Sequence, residues 1–72
     1  MNEPQTIKVI ANGRSFSPPA KVSLPDFVDS LSLNMDRVVV ERNGQALTPE
    51  EARCILLADG DRLEIVRIVA GG

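Results

Sequence analysis

One amphipathic helix between strand-like segments constrains the fold of this chain more than any other sequence feature. Four apolar residues in KVSLPDFVDSLSLN recur at helical spacing: Leu24, Phe27, Val28 and Leu31. They form a single apolar stripe, with polar residues on the opposite side of the helix. The chain has no other helical pattern of this length, so this helix must cover one face of a sheet.

The ends of this helix also carry sequence signals. Ser23 and Asp26 have the spacing of a capping box, and Pro25 falls in the first turn, where its missing N–H is harmless. Asn34 is predicted to end the helix in the left-handed conformation. The helix is therefore expected to begin just after Ser23 and to stop near Asn34.

Two Asn-Gly pairs predict tight hairpins on either side of the helix. Asn12-Gly13 follows the alternating run TIKVIA, and Asn43-Gly44 follows RVVVER. Both residue types tolerate the positive φ of a two-residue turn. The first turn would place Phe16 opposite Val9 on the same face.

The strands that flank these turns have different predicted positions in the sheet. Pro18-Pro19 restricts the strand that returns from the first turn to a sheet edge, because proline cannot donate a backbone hydrogen bond. The three valines before the second turn are typical of an interior strand covered on both faces.

The C-terminal third predicts a short helix, a turn and a last strand. In TPEEARC, Thr48 is the expected N-cap, Pro49 the first helical residue and Glu51 the capping partner. Asp59-Gly60-Asp61 predicts a tight turn. The last strand is expected to contain the apolar residues Leu63, Ile65, Val66, Ile68 and Val69.

This order of elements predicts an α+β fold, a ubiquitin-like β-grasp. A mixed sheet is covered by one main helix, and the first and last strands lie parallel at its centre. The length of 72 residues predicts one domain, residues 1–72, in which residues 69–72 form an extended, flexible C-terminal tail.

Composition argues against several classes of protein. A net charge of -2 and only two aromatic residues argue against nucleic-acid binding, and no apolar run is long enough to span a membrane. One cysteine and no histidine exclude an internal disulfide and a plausible zinc site. A single thiol without an export signal predicts a cytoplasmic location.

Several motifs occur together in the order of a known family. They are IKVIANGRSF, VVVERNGQAL, LADGDRLEIV and the terminal VAGG, with Ser23 opening a helix whose core side carries Phe27 and Val28. Over its whole length the chain resembles the ThiS family of bacterial sulfur carriers in thiamine biosynthesis. Glu50 departs from the family pattern, in which a basic residue is usual after the second hairpin.

This resemblance implies that the Gly72 carboxylate is the reactive group. An E1-like (ThiF-type) adenylyltransferase would adenylate it with ATP, a persulfide would convert it to a thiocarboxylate, and a ThiG-type thiazole synthase would accept the sulfur. The chain contains neither G-x-x-x-x-G-K-[ST] nor G-x-G-x-x-G, so ATP is expected to bind the partner. We therefore expect no catalytic residue, bound cofactor or metal in a chain that is a substrate of other enzymes.

The tail and one sheet face are the candidate functional regions. Gly71 and Gly72 lack Cβ, and with Ala70 and Val69 they could thread a narrow channel. If Ile7, Val9, Leu63 and Ile65 face the helix, strand alternation sends three other residues to the opposite face: Ile10, Val66 and Ile68. We expect these three to lie close together near the tail and to form a patch that docks partners.

Other readings of the same features remain open. The small subunit of molybdopterin synthase shares the fold and tail, and a ubiquitin-like modifier or a plain interaction module would also fit.

Cys54 is expected to be a small core thiol, and the acids Glu50, Glu51, Asp59 and Asp61 are explained by capping and solvation. The arginines are expected on solvated faces: Arg37, Arg42, Arg62 and Arg67.

Overall fold

The computed structural model describes residues 5–69, which form a five-stranded mixed sheet and two helices. The elements are β1 Val9–Ala11, β2 Arg14–Phe16, α1 Leu24–Ser30, a 3₁₀ turn Met35–Arg37, β3 Val38–Arg42, β4 Gln45–Ala46, α2 Pro49–Cys54 and β5 Asp61–Arg67. The strand order is β2-β1-β5-β3-β4, with β1 and β5 parallel. This arrangement confirms the predicted β-grasp.

Both hairpins form as the Asn-Gly pairs predict. Asn12 and Gly13 have φ values of 51° and 80°, and Asn43 and Gly44 have 51° and 84°. Positive φ at both central residues is the mark of a type I′ turn, whose twist matches that of the paired strands. Val9 lies opposite Phe16, and β2 is an edge strand, both as predicted.

Helix α1 begins as predicted but ends earlier. The Ser23 hydroxyl accepts a hydrogen bond from the Asp26 amide at 3.1 Å. At the other end Ser32 has φ 62°, its amide bonds the Asp29 carbonyl at 2.9 Å, and the Leu33 amide bonds the Val28 carbonyl at 3.2 Å. This pair of bonds is a Schellman motif, so the helix is closed before the chain reaches Asn34.

The prediction of a left-handed Asn34 is therefore wrong. Asn34 has φ -103° and ψ 122°, which is extended backbone. Its side chain accepts a hydrogen bond from the Asp36 amide at 2.8 Å and so begins the 3₁₀ turn. Asn34 acts as an N-cap, a role that asparagine fills as readily as it ends a helix.

The hydrophobic core lies between α1 and one face of the sheet. Leu24, Phe27 and Val28 of the helix are buried, as are all four strand residues predicted to face it: Ile7, Val9, Leu63 and Ile65. Leu31 packs at the margin of this core. Phe16 meets Phe27 edge to face, with ring centroids 5.6 Å apart. This geometry is favourable for two aromatic rings.

Strand β3 lies inside the sheet but is covered on one face only. Val38 and Val40 are buried, whereas Val39 between them is 49% exposed. The prediction of burial on both faces is wrong, because both helices that could cover the sheet lie on the same side as the buried core. A run of three valines in this chain therefore contains one residue of the open face.

Helix α2 is short and capped as predicted. The Thr48 hydroxyl accepts from the Glu51 amide at 3.1 Å, and the Glu51 carboxylate accepts from the Thr48 amide at 2.9 Å. Ala52 is its buried residue.

Cys54 is exposed, which overturns its expected place in the core. It lies two residues beyond Ala52, about 200° around the helix, and so points away from the core.

Candidate functional site

The last strand holds the chain up to the start of the predicted tail. Val38 pairs with Arg67, and the Ile68 amide donates to the Arg37 carbonyl at 2.8 Å. Strand β5 itself ends at Arg67, two residues before the predicted end at Val69. Val69 is 84% exposed. Ala70, Gly71 and Gly72 lie outside the described residues, so their predicted roles stay predictions.

Asn12 anchors β5 beyond the point where β1 stops. Its side-chain amide donates to the Ile65 carbonyl at 3.0 Å, and its carbonyl oxygen accepts from the Ile65 amide at 2.7 Å. The side chain thus pairs both backbone groups of Ile65, which a longer β1 would otherwise have bonded. The turn residue therefore fixes the position of β5 two residues before the strand ends.

Asn43, in the second hairpin, fixes the beginning of β5. Its side-chain nitrogen donates to Asp61 at 3.1 Å, and its oxygen accepts from the Arg62 amide at 2.9 Å. The Asn43 amide also donates to the Arg62 carbonyl at 2.8 Å. Both hairpin turns thus bind the strand that leads to the tail.

Asp61 is buried at the centre of this second contact. It is 5% exposed and accepts from the Ala58 amide at 2.8 Å and from Arg42 Nε at 3.1 Å. Burial alone would raise the pKa of Asp61, but hydrogen bonds from Ala58, Asn43 and Arg42, together with the Arg42 charge, hold its pKa below the ordinary value. The expected solvation of Asp61 and Arg42 is therefore wrong.

The other acids of the predicted cluster have separate roles. Glu51 caps α2, and the Asp59 carboxylate accepts from the Lys8 amide at 2.7 Å. Glu50 is exposed in the first turn of α2.

Within residues 5–69, no three cysteine, aspartate or glutamate side chains are grouped so that they could hold a metal ion. In the same residues, no helix is long and apolar enough to span a membrane.

The open face of the sheet carries an apolar patch beside the start of the tail. Val66 and Ile68 lie on this face as predicted and are 61% and 56% exposed. Val39 is the direct cross-strand neighbour of Val66. We call Val39, Val66 and Ile68 the apolar patch.

Ile10 does not belong to this patch, contrary to the expected proximity. It pairs with Arg62, four residues before Val66, which corresponds to about 13 Å along the strand. Because β1 stops at Ala11, it runs beside only the first part of β5. The neighbour of Val66 comes from β3 instead. The alternation of VVVER could have indicated Val39, but only together with the register between β3 and β5.

A cleft of about 510 Å³ adjoins the apolar patch at the edge of β3. Val39 and Ile68 line it together with Met35, Leu47 and Ala52. Apolar surface therefore continues from the open face around β3 towards α2. A partner that reaches the tail along this side of the molecule would meet the patch first.

Comparison with known proteins identifies the family. The sequence model described as "ThiS family" matches residues 2–72. The chain is 35% identical over 66 residues to "Uncharacterized protein ycf40" of Pyropia yezoensis, which covers 92% of this chain and 93% of that protein. It is 29% identical over 68 residues to the protein of the same name from Porphyra purpurea, covering 94% and 96% of the two chains.

Solved structures agree with this match. The crystal structure of the thiamine biosynthesis protein ThiS from Geobacter metallireducens superposes with a TM-score of 0.74 at 25% identity, covering 92% of this chain and all of that one. A designed protein based on human erythrocytic ubiquitin gives a TM-score of 0.56 at 15% identity, covering 96% and 98%, and supports the fold alone. The chain has the ubiquitin-like fold of the sulfur carriers, and it belongs to the ThiS family.

Proposed function

We propose that this protein is a sulfur carrier in the synthesis of the thiamine thiazole, with the Gly72 carboxylate as its reactive group. The sheet ends where the predicted tail begins, and this supports the proposal most directly. Backbone pairing holds the chain through Ile68, and Val69 is 84% exposed. Residues 69–72 can reach about 13 Å when extended, which is enough to enter the active site of a neighbouring enzyme.

The chemistry requires activation by a partner. An ionised C-terminal carboxylate, with a pKa of about 3.5, is a poor electrophile. In the proposed reaction a carboxylate oxygen attacks the α-phosphorus of ATP, and pyrophosphate leaves. A persulfide sulfur then attacks the acyl carbon and expels AMP, and a second thiol breaks the S–S bond to release the thiocarboxylate.

Membership of the ThiS family supports the choice of partners. The sequence contains no phosphate-binding loop, so an E1-like, ThiF-type adenylyltransferase supplies the ATP site. A ThiG-type thiazole synthase accepts the sulfur. The carrier itself contributes its C-terminal carboxylate and a surface that the partners recognise, and it acts in the cytoplasm.

Mass spectrometry of the intact protein tests this proposal. The protein is incubated with ATP, a sulfur donor and the adenylyltransferase of the same organism, and a sample without ATP is the control. An oxygen-to-sulfur mass increase on the C-terminal peptide is expected. An unmodified tail after this incubation would contradict the proposal.

The same measurement in cells separates the related activities. In cells that lack the thiazole synthase, the thiocarboxylate form is expected to accumulate. An adduct on a lysine of another protein would indicate a ubiquitin-like modifier instead. Accumulation only in cells that lack molybdopterin synthase would indicate the molybdopterin branch.

A further inference from the structure

Two glutamates face each other on the open side of the sheet, next to the apolar patch. Glu41 of β3 and Glu64 of β5 are direct cross-strand partners, and both are exposed. Each lies two residues from a valine of the patch on its own strand, Val39 and Val66 respectively. The four side chains therefore form a block on one face, with the carboxylates on the side away from the tail.

This glutamate pair has no cationic partner in the part of the chain that the structure describes. The ion pairs found there, Arg42–Asp61 and Arg53–Asp36, include neither carboxylate. Arg62 lies on the same face two residues before Glu64, but no ion pair within 4 Å joins them. Like charges directly opposite each other in a sheet are destabilising. A cation from outside the molecule would relieve this repulsion.

We propose, resting on the proposed function, that the apolar patch and the glutamate pair form one docking surface. Its occupant is a partner protein that presents an apolar contact with lysine or arginine side chains beside it. The order along β5 is Glu64, Val66, Ile68 and then the tail. Glu64 lies about 13 Å from Ile68 along the strand. The partner's cationic side chains are therefore expected at that distance from its contact with Ile68, on the side away from the partner's active site.

This charge arrangement gives the surface a direction. An apolar patch alone can be approached in several orientations, whereas charges at one end of it favour a single orientation and penalise the reverse. In the favoured orientation the tail points towards the partner's active site. The glutamates thus increase the rate of productive encounter, and the apolar patch supplies the contact that persists.

A double substitution tests the glutamates, with a matched control on the other side of the molecule. Glu41→Gln/Glu64→Gln removes two charges while keeping the size of the side chains. Asp26→Asn/Asp29→Asn removes the same charge from exposed positions on α1. Thermal unfolding of each variant verifies that it is folded.

The first readout is adenylation by the E1-like enzyme. At low ionic strength the glutamine pair is expected to raise the KM for the carrier about tenfold with kcat unchanged, since the tail is intact. This difference should shrink to less than about twofold near 0.5 M NaCl, where surface charges are screened. The control pair should change KM by less than about twofold. Equal effects of the two pairs would overturn the proposal.

The second readout is binding of the same enzyme in the absence of ATP, which does not depend on tail chemistry. Selective weakening by the glutamine pair supports the docking surface even if no thiocarboxylate forms, in which case the sulfur-carrier function alone fails. Normal adenylation with equal binding of all variants overturns the docking surface and leaves the function standing. If the wild-type protein neither binds nor is adenylated, both proposals are wrong.

Discussion

One face of the sheet is buried and the other is exposed to solvent, although the same strands form both. On the helix-covered face, Val40 and Ile65 are neighbours in a closed core and are 1% and 6% exposed. On the open face, their sequence neighbours Val39 and Val66 are also paired and are 49% and 61% exposed. One face accounts for the stability of the domain, and the other is available to partners.

The adjacent valines of β3 provide the largest contrast between the faces. Val40→Ala should lower the free energy of unfolding by about 2–3 kcal/mol, because it removes buried methyl groups and leaves a cavity. Val39→Ala should cost less than about 1 kcal/mol, since much of its side chain is already in water. Urea denaturation measures both. Equal costs for the two substitutions would contradict the assignment of faces.

Substituting Asp61 tests how its hydrogen bonds hold β5 on the covered side of the sheet. Asp61→Asn should lower the free energy of unfolding by about 1–2 kcal/mol at neutral pH, because the charged acceptor of the Ala58, Asn43 and Arg42 bonds is lost. Arg53 and Asp36 form an exposed ion pair, with side-chain exposures of 59% and 71%, so Asp36→Asn is the control and should have little effect.

The same residue gives a pH dependence of defined sign. The pKa of Asp61 is lowered in the folded protein, so its contribution is complete above the ordinary aspartate pKa of about 4 and is lost as pH falls through the folded value. Denaturation curves between neutral and acidic pH should show the wild type losing stability faster than Asp61→Asn. If the two proteins lost stability equally as pH falls, Asp61 would not be the source of the pH dependence.

On the open face, Ile68→Asp should affect function without unfolding the protein. Placing a charge in the apolar patch is expected to weaken adenylation by the partner about tenfold in kcat/KM, which corresponds to about 1.4 kcal/mol. Leu56→Asp is the matched control, because Leu56 is 57% exposed but lies in the loop between α2 and β5. An unchanged rate for Ile68→Asp would remove the patch from the proposed interface.

The smallest expected effect is a gain in stability. Glu64→Gln relieves the repulsion from Glu41 and should raise the free energy of unfolding by about 0.2–1 kcal/mol. The gain should disappear at high salt. Thermal unfolding at two ionic strengths measures it, and a loss of stability at low salt would show that Glu64 makes a favourable contact in the free protein.

Local signals explain how much of this fold could be predicted. The two Asn-Gly turns, the caps at Ser23 and Thr48 and the pairing of Val9 with Phe16 depend on residues close in sequence. Each of them is confirmed. The parallel contact between the first and last strands followed from the order of elements, because few arrangements satisfy the crossover rule.

Two of the errors, those on Asp61 and Ile10, arose where distant segments meet. The burial of Asp61 depends on Arg42 and Asn43, which lie 19 and 18 residues earlier in the chain. The distance between Ile10 and Val66 depends on where β1 stops beside β5, and the alternation rule gives the face but not the register. The tail residues Ala70, Gly71 and Gly72 could be interpreted only through their chemistry and family resemblance.

The side chain of Asn12 has a consequence for solubility. A terminal strand that leaves its sheet exposes unpaired backbone groups, and such edges recruit strands from other molecules. Asn12 occupies the amide and carbonyl of Ile65 after β1 has ended. The next backbone groups on that side belong to Arg67, a charged residue of the kind that discourages strand addition. One turn residue thus protects the edge from strand addition, while Ile68 and Val69 beyond β5 stay exposed.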